Sequence, residues 1–108
     1  MIPIRRYAVT ALLLINAHAA LAQKLGDTQT GAAYADQICS ECHAVHSGAR
    51  VSPNKRAPAF QTVAEMRGMS EMALRTWFRT PHPSMPNLVI KDKEADDVIA
   101  YILSLKRQ

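Results

Sequence analysis

The only two cysteines of this chain stand in a single five-residue stretch, Cys39-Ser40-Glu41-Cys42-His43. A chain of 108 residues supports one domain, and the folded part is expected to be smaller. Residues 1–22 read as a secretory signal peptide. Arg5 and Arg6 form a positive start, an apolar run begins at Ala8, and Ala20-Leu21-Ala22 makes a small-x-small cleavage site before Gln23. Ala17-His18-Ala19 is a second candidate site. The apolar run falls short of the roughly 20 residues that span a bilayer. An uncleaved leader would be a membrane anchor instead. The expected mature domain, residues 23–108, has 86 residues, a size that buries only about 60–65% of the unfolded surface. Small exported domains usually complete so thin a core with disulfides, a metal or a cofactor. A disulfide between Cys39 and Cys42 would close a tiny loop and contribute little, so something else is expected to complete the core.

Three chemistries compete for the cysteine pair. Zinc would take Cys39, Cys42 and His46, with His82 as a fourth ligand, but the second close couple typical of structural zinc is missing. A redox Cys-x-x-Cys belongs after a strand, at the start of a helix. Here the pair follows a helix, in a chain with no convincing strand. In covalent haem attachment the two thiols add to two vinyl groups, and the next residue, a histidine, is aimed at the iron. Cys39, Cys42 and His43 meet that spacing without a gap.

Along the chain the pattern predicts helices and loops. Asp27 or Thr28 caps a helix running to about Cys39, whose inner face carries Gly31, Ala35 and Ile38, with Tyr34 alongside. Gly31 costs up to about 1 kcal/mol in a helix interior, which suggests close approach of another backbone. His46 to Ala59 reads as loop. Gln61–Arg67 forms a short helix ended by Gly68, and Ser70 caps a second that stops before Pro81. Pro81-His82-Pro83-Ser84-Met85-Pro86-Asn87 is a stiff extended loop. Asp92 caps the last helix, where Ala95, Val98, Ile99, Ile102 and Leu103 make one apolar stripe, widened by Tyr101 and Leu105.

With these pieces in order, the whole mature chain resembles the class I c-type cytochromes, the small bacterial monohaem proteins. The matching features are the helix with Gly31 and Tyr34, CSECH, the Ala57-Pro58 loop, Met85-Pro86-Asn87-Leu88 and the final helix ending AYILSLK. The resemblance implies an all-α fold in which N- and C-terminal helices cross, with short helices and loops wrapped around one haem c held through Cys39 and Cys42. It places Gly31 against Tyr101 at that crossing. It gives the carbonyl of Pro58 the role of holding the His43 ring, although Ala57 stands where many members have glycine. It makes Met85 the second iron ligand, as its thioether sits in a proline-flanked loop that can hold it at little ordering cost. His82 and His46 are competing ligands. Met66, Met69 and Met72 fall on helical stretches, where methionine usually fills gaps in a core. The pocket lining is expected from Ile38, Phe60, Val63, Leu74, Trp77, Phe78, Leu88, Ile99 and Leu103, with the Trp77 N–H reaching a propionate.

The function so implied is periplasmic one-electron transfer between redox protein partners by a monomer, with no catalytic residue and no enzyme activity of its own. One alternative has a displaceable Met85 and acts as a ligand sensor or peroxidase-like enzyme. Another is a dedicated haem subunit of a larger dehydrogenase or oxidase. Without the leader, 11 basic residues face 9 acidic ones, too small an excess to suggest nucleic acid. Membrane contact is expected only through transient docking or an uncleaved leader. Arg50, Lys55, Arg56, Arg75 and Arg79 are candidates to steer an acidic partner.

Overall fold

In the computed structural model, residues 26–81, Met85 and residues 89–107 are described. The leader, His82 and Leu88 lie outside the described residues. Among those described there are four α-helices and no strand: α1 Thr28–Ile38, α2 Phe60–Glu65, α3 Glu71–Arg79 and α4 Asp92–Ser104. A short 3₁₀ turn, Cys39–Glu41, continues α1. No helix among the described residues is long and apolar enough to cross a membrane.

The local signals act largely where the sequence puts them. Asp27 caps α1, its carboxylate accepting from the Thr30 amide at 2.8 Å. Ser70 caps α3 by accepting from Ala73 at 3.2 Å. Three details differ. The last helix takes Lys91 as its N-cap, without a side-chain bond, and Asp92 falls inside the first turn, where its charge still suits the helix dipole. Helix α2 begins one residue early, at Phe60, and ends at Glu65. Gly68, with φ of +78°, then turns the chain beyond it.

Helix α1 packs principally against α4. Gly31 is buried at the crossing, where a Cβ would run into the Asp97 carbonyl and come within 3.0 Å of the Tyr101 Cβ. Gly26, just before α1, meets the same helix one residue along, where a Cβ would collide with Asp96 and the Asp97 amide. The backbones therefore approach more closely than any side chain allows. This contact aligns the stripe Gly31, Ala35, Cys39 with the core, which leaves Ile38, one position off the stripe, 40% exposed. Ala35 and Cys39 join Val45, Phe60, Ala64, Leu74, Val98, Ile99, Ile102 and Leu105 in one apolar cluster. Val63, Phe78 and Leu103 pack partly buried against it. Trp77, one residue before Phe78 on α3, is 56% exposed.

A buried carboxylate fastens the crossing. Asp97 is only 3% exposed, yet it accepts from the Asp27 amide at 2.8 Å and from the Lys93 ammonium at 2.7 Å. The hydrogen bond from the Lys93 ammonium first, and that from the Asp27 amide second, hold the Asp97 carboxyl below its ordinary range. One side chain thus ties the start of α1 to the second turn of α4.

Two outcomes follow from this joint. Gly31→Ala should destabilise the protein by about 1–3 kcal/mol in denaturant titration, since overpacking outweighs the roughly 1 kcal/mol gain in helix propensity. Because the Asp97 carboxyl titrates lower in the folded state than in the unfolded one, its stabilisation is complete above the ordinary aspartate value of about 4 and is lost as pH falls below it. Asp97→Asn should therefore be less stable than the parent at pH 7, and the difference should shrink on acidification below about pH 4.

Candidate functional site

The motif is built on the end of α1. Cys39 caps that helix by donating its amide to the Ala35 carbonyl. The Cys39 carbonyl then accepts from the amides of Cys42 at 3.2 Å and His43 at 2.9 Å. One tight turn thus presents two thiols and an imidazole. Both thiols are free, Cys39 buried and Cys42 partly buried. Burial pushes the Cys39 thiol up to about 11. Burial of this kind does not make Cys39 a nucleophilic thiolate near neutrality. Nor do the described residues bring three His, Cys, Asp or Glu side chains together as a metal cage. His46 instead lies 3.3 Å from Asp36 on the surface.

His43 is held from two sides. Its Nδ1 lies 2.7 Å from the Pro58 carbonyl oxygen, and its ring tilts at 50° to Phe60 with centroids 5.3 Å apart. A carbonyl can only accept, so Nδ1 carries the proton and Nε2 keeps its lone pair. The imidazole is left with one nitrogen available to a metal.

The loop between His43 and Phe60 is stitched to the rest of the fold by polar contacts. The Ala44 amide donates to Ser52 Oγ at 2.9 Å, and the Asn54 amide to the Cys42 carbonyl at 3.1 Å. The Phe60 amide donates to the Ala44 carbonyl at 2.9 Å. From α4, Tyr101 donates its hydroxyl to the Val45 carbonyl at 2.6 Å; burial raises the Tyr101 pKa, which keeps that donor protonated. Gln61, 1% exposed, accepts from the Gly48 amide at 3.0 Å. It donates to the Leu105 carbonyl at 2.7 Å and to Glu65 at 2.8 Å. The sequence marks Gln61 only as the beginning of a short helix, and no local signal announces that it joins three segments.

Met85 sits in a bend, partly exposed, and its expected competitor His82 is outside the described residues. Of the five basic residues expected to steer a partner, three are engaged. Arg50 pairs with Glu65 at 2.8 Å, Arg75 with Glu71 at 3.1 Å and Asp96 at 2.6 Å, and Arg79 with Asp92 at 3.7 Å. Lys55 and Arg56 have no carboxylate partner among the described residues.

Residues 28–106 match the model of the family described as Cytochrome c. The chain is also similar to cytochrome c-552 of Bradyrhizobium diazoefficiens, with 34% identity over 95 residues, 88% of this chain and 90% of that protein. No solved structure matches the chain.

Replacing Gln61 by Ala removes the acceptor of one partly buried amide and the donor to one buried carbonyl. A loss of about 1–3 kcal/mol in thermal or denaturant unfolding is expected, the penalty for leaving such groups without partners.

Proposed function

The chain belongs to the cytochrome c family, and on that premise we propose that it is a periplasmic one-electron carrier whose iron is ligated by His43 and Met85. Its cofactor is haem c, attached covalently through Cys39 and Cys42. Proteins of this family transfer electrons to redox partners. Bound haem c supplies a one-electron ferric–ferrous couple. The remaining chemistry belongs to the chain.

The observation that carries the reading is the 2.7 Å contact between His43 Nδ1 and the Pro58 carbonyl, directly behind the cysteine pair. It fixes the tautomer, orients the ring and raises the basicity of Nε2, as an outer partner of a metal-bound histidine does. The free thiols of Cys39 and Cys42, two residues apart on one turn, suit two thioether bonds. The proposed second ligand, the Met85 thioether, would favour ferrous iron and raise the potential relative to a second histidine. With His43 and Met85 both holding the iron, no position would stay open for a substrate. This supports transfer of electrons and not catalysis. Residues 1–22, read as a leader, would export the chain, and this fits the periplasmic placement, since c-type haem is attached outside the bacterial cytoplasm.

The test is an absorption spectrum of the exported protein, oxidised and reduced, with and without carbon monoxide. Expected are c-type bands, a weak far-red band from methionine sulfur on ferric iron, and no response to carbon monoxide. Met85→Ala should abolish the far-red band, admit carbon monoxide and lower the potential by on the order of 0.1 V, a fraction of the ~0.8 V that axial ligands command. Ready binding of carbon monoxide by the parent protein would overturn the closed-site reading.

A further inference from the structure

The His43–Pro58 contact depends on how the intervening loop returns to the cysteine turn. Three bonds bring it back: Ala44 amide to Ser52 Oγ at 2.9 Å, Asn54 amide to Cys42 carbonyl at 3.1 Å, and Phe60 amide to Ala44 carbonyl at 2.9 Å. Two of these are backbone to backbone. Only the first relies on a side chain, and it is attached to the residue immediately after His43. Ser52 is partly buried, six residues before Pro58, so it closes the loop at its middle while Pro58 closes it on the ring.

We propose that Ser52 is a positioning residue for His43: its hydroxyl, by accepting from the Ala44 amide, sets the height and tilt at which the Pro58 carbonyl meets Nδ1. The inference rests on the reading of His43 as an iron ligand. Without the Ser52 acceptor the Ala44 amide loses its partner, the turn after His43 relaxes, and the Nδ1–H···O=C bond lengthens. A weaker bond makes Nε2 a poorer donor, which stabilises ferric iron less. The potential then rises.

The experiment compares the haem-loaded parent with Ser52→Ala, Ser52→Thr and the control Ser70→Ala, which removes a cap on α3 far from the loop in sequence. Four quantities are read: unfolding midpoint, reduction potential, the proton NMR shifts of the ferric haem methyls, and amide exchange at Ala44. The methyl shifts report the plane of the ligating imidazole. For Ser52→Ala, a higher potential, redistributed methyl shifts and exchange at Ala44 faster by about tenfold are expected, the scale of one lost hydrogen bond at that amide. Ser52→Thr, which keeps a hydroxyl, should restore all three. Ser70→Ala should lower the midpoint and leave them unchanged. If Ser52→Ala lowers the midpoint alone, with potential and methyl shifts as in the parent, Ser52 is merely structural and the inference fails. If the parent itself shows no imidazole-ligated haem, the reading of His43 fails first, and the inference with it.

Discussion

Two backbones meet where α1 crosses α4, and the remainder of this small domain is arranged around that contact. Gly31 leaves no Cβ between its helix and the Asp97 carbonyl, so the helices sit as near as their main chains permit. Dispersion and apolar burial grow with such proximity. Asp97, on the opposing helix, converts the approach into a fixed geometry by holding the Asp27 amide with a carboxylate neutralised by Lys93. A buried carboxylate is tolerated here because it has both a counter-charge and a backbone donor.

The consequence for the site is direct. Once α1 is seated, its buried stripe runs from Gly31 through Ala35 to Cys39, so the first cysteine of the motif enters the same cluster as Ile99 and Ile102. Helix α4 then supports the motif a second time. Tyr101 stands at the crossing and also reaches the Val45 carbonyl in the loop behind His43. The end of α4 is reached again by Gln61 through the Leu105 carbonyl. Cofactor attachment, the orientation of His43 and the integrity of the core are therefore parts of one packing arrangement. A histidine set on a helix end and held by short, bonded loops keeps its geometry better than one left on a free loop.

The surface shows a different economy. Most of the basic side chains that the sequence offers as a docking field are paired internally, Arg75 with two carboxylates and Arg50 with Glu65. Exposed pairs of this kind contribute little to stability, but they cancel local charge. Charge counting along the chain therefore overstates the positive field, and Lys55 and Arg56 are the members of that set left to express it.

The cysteine-histidine spacing, the caps Asp27 and Ser70 and the apolar stripe of the last helix were legible because each is a local pattern whose meaning depends on a few neighbouring residues. From them came the helical class, the family resemblance and the cofactor, and even the glycine at the crossing could be named from its cost in a helix interior. Other roles depended on partners distant in sequence. Asp97 reads as one more acid near a helix start, yet its partner Asp27 is 70 residues away. Gln61 reads as an ordinary polar helix residue, yet its key acceptor is 44 residues on. Ile38 and Trp77 read as apolar helix residues, yet 40% and 56% of their surfaces lie outside the packed cluster. Periodicity locates an apolar face to within about 100°, whereas burial is settled by which atoms of a second element arrive there. What this sequence determined by itself was the chemistry it can hold. Which polar groups keep that chemistry in place was decided only when α1, α4 and the loop between them met.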